Sequence, residues 1–363
     1  MRQYIDIKIE TITDRDAWNN TLREMPYAHI LQTWEWGDFK QQVTGWQPLR
    51  MAFKQNDEIV AMFSPGMKRV GIFKVMYAPK APAMDYSNDA LRESVLDYLQ
   101  DYARKERLVW LKIDPDVPIA TGVPGEDDDT PNDAGQHLKT SLKNRGWRYS
   151  DDQVQFRNSV VIDLTPDEDT LLMNMSQNTR RKVRTAAKKD VVIREGTPGD
   201  IPMLYDLYSV TGQRDDFLLR PYEYYETLWS TFMQAGLAQV FIAEYENIPI
   251  AHVVLFHFGK KCIYFNGASS NNERKRMPNY ALQWRAIQWA KAQGYTQYDM
   301  WGAPTDFIED DPLWGVYQFK RGFRGDVTRY VGAWDYAPNN ALYWSYTQAY
   351  PRFRQLLRRL RGQ

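Results

Sequence analysis

One succession of strand, turn and helix signals occurs twice in this chain, and that repeat constrains the fold more than any short motif. Arg50-Met51-Ala52-Phe53-Lys54-Gln55-Asn56-Asp57-Glu58-Ile59-Val60-Ala61 and Val240-Phe241-Ile242-Ala243-Glu244-Tyr245-Glu246-Asn247-Ile248-Pro249-Ile250-Ala251 each read as strand, polar turn, strand. After each hairpin comes a further strand (75–78 and 263–267), a helix (89–107 and 279–293), and a strand that closes on proline (108–115 and 298–304). The first helix places Leu91, Val95, Leu96 and Leu99 on one face; Ala281, Leu282, Ile287 and Trp289 do the same less cleanly in the second. With 363 residues the chain exceeds one ordinary domain of roughly 100–200 residues. The pattern predicts an α/β fold of the mixed α+β kind, built from two tandem units.

Bulk charge excludes little, because Lys plus Arg and Asp plus Glu both number 46. Only the distribution of charge can point to a partner. A single cysteine, Cys262, rules out an internal disulfide, and its apolar setting in Lys261-Cys262-Ile263-Tyr264-Phe265 reads as a buried strand thiol rather than a nucleophile. His29, His137, His252 and His257 lack metal-ligand spacing, so neither a metal nor another cofactor is expected. The N-terminus alternates like a strand over residues 1–9 and lacks the apolar core of a signal peptide, and no segment reaches the ~18 apolar residues of a membrane span. The expected location is the cytoplasm, with at most peripheral contact at the inner membrane.

Two segments between the repeats have skewed composition. Residues 121–136 are rich in Gly, Pro and acid and read as a mobile surface loop. Thr165-Pro166-Asp167-Glu168 has the form of a capping box with Thr165 at the N-cap, launching a helix through Leu171, Leu172 and Met175. The next helix carries Arg180, Arg181, Lys182, Arg184, Lys188 and Lys189 with no acidic residue from 178 to 189, while Val183, Ala186 and Ala187 are spaced to dock inward. Such a face is either plainly solvated or a footprint for phosphate-rich RNA. The terminal Pro351-Arg352-Phe353-Arg354-Gln355-Leu356-Leu357-Arg358-Arg359-Leu360-Arg361 puts five arginines on an amphipathic helix that suits anionic headgroups as well as RNA.

Near the end, Asp299-Met300-Trp301-Gly302-Ala303-Pro304 reads as a strand opening into a loop, followed by Gly315-Val316-Tyr317-Gln318-Phe319-Lys320-Arg321-Gly322-Phe323, which delivers a lysine among aromatics. Taken alone, that stretch also fits an amphipathic strand with Phe319 and Phe323 inward. With it stand Gln32-Thr33-Trp34-Glu35-Trp36-Gly37-Asp38-Phe39-Lys40, Lys112-Ile113-Asp114-Pro115 and Thr179-Arg180-Arg181-Lys182-Val183-Arg184. In this order, over nearly the whole chain, these motifs resemble the Fem (FemABX) peptidyltransferases, which add amino acids from aminoacyl-tRNA to the stem peptide of peptidoglycan precursors. There is no long heptad-patterned insertion, so the chain is similar to a compact form without a coiled-coil arm.

The resemblance implies two GNAT-like acyltransferase domains: residues 1–152 completed by 330–363, binding the precursor, and residues 153–329, holding the basic helix and the Phe319-Lys320 pair. It implies aminoacyl-tRNA as donor and UDP-MurNAc-pentapeptide or lipid II as acceptor, and says nothing of oligomeric state. Lys320 corresponds to a stabiliser of the acyl carbonyl, Phe319 shapes the acyl pocket, and Asp114 lies near the acceptor amine. Asp114 equally fits an ordinary Asp-Pro turn. Lys40, beside Trp36, corresponds to the phosphate contact; Arg220 and Tyr224 form a second binding pair, Tyr264 a third contact, and Arg214 an alternate for the phosphate. For donor tRNA the matching residues are Arg180, Arg181, Arg184 and Lys188. Arg220 and Tyr224, four apart after Pro221, can face one ligand, although a surface arginine and a core tyrosine fit the same spacing.

The residues also argue independently against coenzyme A. A pyrophosphate cradled at a helix start needs free N–H groups on a glycine-rich turn. Here the two candidate turns read Asn271-Asn272-Glu273-Arg274-Lys275-Arg276-Met277-Pro278-Asn279-Tyr280 and Tyr86-Ser87-Asn88-Asp89-Ala90-Leu91, neither with a glycine. Aminolysis of an activated ester needs mainly alignment and a fixed cation for the oxyanion, which a chain without a Ser/His/Asp constellation can supply. An acyltransferase of the same fold acting on another amine, or a non-catalytic RNA- or membrane-associated protein, are the other readings of these residues.

Overall fold

The computed structural model describes residues 5–349. Both repeats form as expected. Met51–Gln55 and Glu58–Phe63 make the first antiparallel hairpin, and Ala238–Tyr245 and Ile248–Phe258 the second. In each copy the following strand pairs in parallel with the closing strand across an intervening helix: Phe73–Lys80 with Trp110–Pro115 around the helix Asp89–Lys105, and Lys261–Ser269 with Gln297–Gly302 around Pro278–Ala292. Parallel strands need such a crossover, which is why the repeat appears in the sequence as strand, helix, strand.

The copies differ in how their strands assemble. In the second, hairpin and crossover lie in one nine-stranded sheet, ordered Thr130–Pro131, Pro118–Thr121, Asp326–Tyr330, Asn158–Asp163, Gln297–Gly302, Lys261–Ser269, Ile248–Phe258, Ala238–Tyr245, Val192–Glu195. In the first, the hairpin sits in a four-stranded sheet with Lys8–Thr11 and Ala83–Met84, while the crossover belongs to a six-stranded sheet. The chain also trades strands between its halves. Trp334–Tyr336 returns to pair with Trp110–Pro115, and Pro118–Thr121 leaves to pair with Asp326–Tyr330.

Each half has its own core. Leu91, Val95, Leu96 and Leu99 are buried in the first, and Leu282, Ala286 and Ile287 in the second; full burial of each large aliphatic chain contributes about 1.5–3 kcal/mol. A third cluster joins the halves, with Trp18, Leu31, Phe39 and Met62 packed among Leu228, Trp229, Phe232 and Phe256. The two units therefore share a wide apolar seam.

Several local expectations are corrected. The helix after residue 165 starts later, over Glu168–Asn174, with Asp167 as the N-cap accepting from Thr170 N; Thr165 instead turns its N–H and hydroxyl to Asp163. A carboxylate two residues on outcompetes the hydroxyl as a cap. The acidic stretch 121–136 is not structureless: Thr130–Pro131 pairs with Pro118–Thr121, Asp129 meets Arg329, and a helix begins at Asp133. Residues 315–323 lie in the helix Trp314–Arg321 and its C-terminal turn rather than in a strand. On the basic helix Gln177–Lys188, Val183 and Ala186 are buried but Ala187 is exposed, one residue having rotated it about 100° away. The arginine-rich segment 351–361 lies outside the described residues. Among the described residues no helix is long and apolar enough to cross a membrane. Cys262 is a buried strand thiol, its pKa raised by that burial.

Candidate active site

The helix Trp34–Thr44 begins at a Thr33 cap and ends on Gly45 in the left-handed conformation. It lays Trp36, Gly37 and Lys40 along one wall of a cleft of ≈ 280 Å³. Trp46, Pro48, Trp110, Tyr77 and Pro79 add to the apolar lining, and Lys112, Asp152 and Gln155 bring polar groups. Gly37 is required here, because a Cβ would stand 2.9 Å from Pro48 Cβ and 3.2 Å from an Arg50 nitrogen.

Lys40 Nζ lies 5.8 Å from the Trp36 ring and 5.9 Å from the Phe39 ring. Phe39 in turn packs edge-on against Tyr224 at 5.1 Å, and the Arg220 guanidinium stands 5.7 Å from the Tyr224 ring. Lys40, Trp36, Tyr224 and Arg220, far apart in sequence, thus come together across the seam. Burial first, then the charges of Arg220 and Lys68, push the Lys40 pKa down to about 8. Among the described residues neither Lys40 nor Arg220 has an ion-pair partner. Arg220 is exposed, so the cost of holding unpaired charge here falls on the partly buried Lys40, and a bound anion can relieve it. The helix Tyr222–Gln234 is capped at Pro221, so Arg220 precedes the cap and Tyr224 sits in the first turn.

Asp114, in the strand Trp110–Pro115, is buried just behind the cleft wall. The Tyr77 hydroxyl donates to its Oδ2 at 3.3 Å, and the Gln155 backbone N–H also bonds to it. Burial raises its pKa, against the opposing pull of Lys80. The turn reading is replaced by a strand residue with a buried carboxylate. Tyr77, which lines the cleft, is a contact that the sequence did not single out; an alternating strand aromatic gives no signal of what stands behind it.

Lys320 and Phe319 form a second locus outside the cleft. Lys320 is 4% exposed, and its Nζ donates to the carbonyls of Trp301 at 2.8 Å and Gly302 at 2.6 Å. Burial pushes its pKa down to about 7, with Asp299 acting in the opposite direction. Phe319 packs against Tyr280 at 5.0 Å and Phe323 at 5.3 Å. Adjacent residues bridge the two loci: Gln155 Nε2 donates to the Tyr77 hydroxyl at 3.2 Å, while Phe156 packs on Trp301 at 6.1 Å.

The basic helix reaches the same locus. Ser176 N donates to Gly322 O at 2.9 Å, and Lys182 Nζ donates to the Tyr280 hydroxyl at 2.8 Å. Arg181, Arg184 and Lys188 are exposed, whereas Arg180 is partly committed to the carbonyls of Met173 and Met175. Arg214 and Tyr264 have partners of their own. Arg214 bonds Ser269 O at 2.9 Å, Asn271 at 3.2 Å and Asp215 at 2.9 Å. Tyr264 packs on the second core with its pKa pushed up to about 12 by burial, and its ring covers Gly267, where a Cβ would stand 2.1 Å from the hydroxyl. At the helix Pro278–Ala292, Pro278 occupies the first turn and Met277 the cap with φ +61°, an ill-suited cradle for a pyrophosphate.

Two hairpin and crossover units, exchanged at their ends, define a tandem GNAT-like fold. A tandem GNAT protein from the clavulanic acid biosynthesis pathway shares it, with a TM-score of 0.53 and 9% identity over 92% of this chain and 99% of that one. The chain belongs to the FemAB family, whose profile matches residues 13–245 and 234–351. Lipid II:glycine glycyltransferase of Staphylococcus epidermidis is 24% identical over 411 residues, spanning 94% of this chain and 96% of the relative. The enzyme of the same description from Staphylococcus aureus is 24% identical over 413 residues, 94% of this chain and 95% of the relative. A crystal structure of FemX superposes with a TM-score of 0.82 at 22% identity, covering 94% of this chain and 99% of that one.

Proposed function

We propose that the protein is an aminoacyltransferase that moves an amino acid from aminoacyl-tRNA to the stem peptide of a peptidoglycan precursor. The observation that carries this reading is Lys40, a cation without an ion-pair partner in the wall of a cleft lined by tryptophans, with the exposed Arg220 close enough to lower its pKa. A diphosphate meets the cations, while sugar and peptide lie along Trp36, Trp46 and Trp110. Both nucleotide-linked and lipid-linked precursors carry that diphosphate. The Staphylococcus relatives are described by their action on lipid II, which favours the lipid-linked form.

In this reading residues 1–152 with 330–363 bind the precursor, aided across the seam by Arg220 and Tyr224, and the rest of 153–329 receives the donor. Phosphates of the tRNA lie along Arg181, Arg184 and Lys188, whose helix abuts the Lys320 locus through Ser176 and Lys182. The acceptor amine attacks the ester carbonyl, a C–N bond forms, and the C–O bond to the terminal ribose breaks as the tRNA hydroxyl leaves with a proton. Lys320 uses its remaining N–H to stabilise the oxyanion, and Phe319 shapes the acyl pocket. Asp114, raised in pKa and linked to the cleft through Tyr77, accepts the amine proton.

The test is incubation of the purified protein with charged tRNA pools and either precursor, with products read by mass spectrometry. Addition of one or more aminoacyl masses to a precursor, abolished by ribonuclease pretreatment of the donor, is the expected result. Transfer that survives ribonuclease would exclude the tRNA donor.

A further inference from the structure

Asp299, buried in the middle of the strand Gln297–Gly302, is the best-connected acid at the Lys320 locus. Its Oδ1 accepts the backbone N–H of Trp301 at 2.8 Å and the hydroxyl of Ser159 on the neighbouring strand. Its Oδ2 stands 3.7 Å from Lys261 Nζ, which donates to Asp116 Oδ2 at 2.6 Å. Asp116 also faces Lys80 Nζ at 3.3 Å. A buried row of alternating charge, Lys80, Asp116, Lys261, Asp299, thus runs from one half of the chain into the other. Its attractions hold the Asp116 pKa down and the Lys261 pKa up despite burial.

Trp301 has φ +61°, in the left-handed region that bulky side chains avoid unless their surroundings impose it. Two things impose it here: the bond from its N–H to Asp299, and packing of its ring among His29, Phe156 and Phe265. In this conformation the consecutive carbonyls of Trp301 and Gly302 both accept from Lys320 Nζ. An ammonium has three N–H donors, so two fixed acceptors set the direction of the third.

We propose that Asp299 is the positioning residue for Lys320: it pins Trp301 in the left-handed turn and so aims the free N–H of Lys320, with Ser159 and Lys261 holding the carboxylate in place. The inference rests on the role given to Lys320 above, yet the positioning is observable without turnover.

The test uses the full chain with isotope-labelled lysine, following the Lys320 ε-carbon by NMR across pH and identifying it by its absence in Lys320→Arg. Asp299→Ala removes both the acceptor for Trp301 N–H and the charge, whereas Asp299→Asn keeps an acceptor and removes only the charge. Loss of the charge should lower the Lys320 midpoint by on the order of one pH unit in both variants. Loss of the pinning bond should in addition change the Lys320 ε-carbon chemical shift and lower turnover of the protonated enzyme roughly tenfold in Asp299→Ala alone, with KM for both substrates unchanged and most turnover kept in Asp299→Asn. A wild-type ε-carbon shift in Asp299→Ala, or the same change in both Asp299 variants, overturns the proposal. If Asp299→Ala does not fold, Ser159→Ala, which frees the carboxylate to move toward Lys261, decides alone, and a wild-type ε-carbon shift in it overturns the proposal. A changed ε-carbon shift in Asp299→Ala alone, combined with full turnover in Lys320→Ala, leaves the positioning intact and removes Lys320 from the chemistry instead.

Discussion

The Tyr77 hydroxyl donates to Asp114 Oδ2 at 3.3 Å while accepting from Gln155 Nε2 at 3.2 Å, so a phenol on the cleft wall carries the influence of a carboxylate buried behind it. Burial raises the Asp114 pKa, and the Tyr77 bond works against that rise by stabilising the ionised form. Tyr77→Phe should therefore move the acid limb of the pH–rate profile to higher pH. An acid limb that stays in place would show that Asp114 is not the group that titrates.

Lys320 offers a prediction of opposite sign. Its pKa is pushed down to about 7 by burial, so its ammonium is lost as pH rises through that value. If the charged form stabilises the oxyanion, turnover should decline above that pH, and Lys320→Ala should lower turnover by on the order of 10²–10³ while barely changing precursor affinity. Steady-state kinetics across pH for both proteins checks this; near-normal turnover in the variant removes Lys320 from the mechanism.

Lys40 and Arg220 are assigned to the precursor. Replacing either with Met should raise the precursor dissociation constant about tenfold or more and leave tRNA affinity nearly unchanged. Because the free Lys40 amine has its pKa near 8, wild-type precursor affinity should weaken as pH rises through that value. Lys40→Met should lose that dependence. Calorimetric titration with each ligand separates the outcomes, and equal weakening of both ligands would mean that the sides of the site are exchanged.

The exposed arginines of the helix Gln177–Lys188 are assigned to the donor. Reversing Arg181 and Arg184 to Glu should raise the apparent KM for aminoacyl-tRNA and flatten its dependence on salt, since fewer counterions are released on binding. Folding should be undisturbed, because both side chains are exposed while Val183 and Ala186 still dock the helix. A donor KM equal to wild type throughout a salt titration would reduce the helix to a solvated surface.

Periodicity is a property of neighbouring residues, and whatever depends on it was legible in the chain by itself. The two hairpins, the two crossover helices with Leu91, Val95, Leu96 and Leu282 turned inward, and the basic helix with Val183 docked all follow from apolar spacing and turn chemistry. Where two local signals competed, spacing was not enough: Asp167 displaced Thr165 as a cap, and the aromatic run around Phe319 suited either a strand or the helix that forms. Contacts across the seam are of another kind, because they depend on sheet order and on the rotation of one packed element against another. Only the tertiary structure brings Lys40 beside Arg220, sets Asp114 behind Tyr77, and lines up Lys80, Asp116, Lys261 and Asp299 through the interior. Each of those charges looks ordinary in its own segment. For Asp114, Lys80, Asp116, Lys261 and Asp299 the meaning comes from burial without water to screen them, a condition that long-range packing creates and local sequence does not encode.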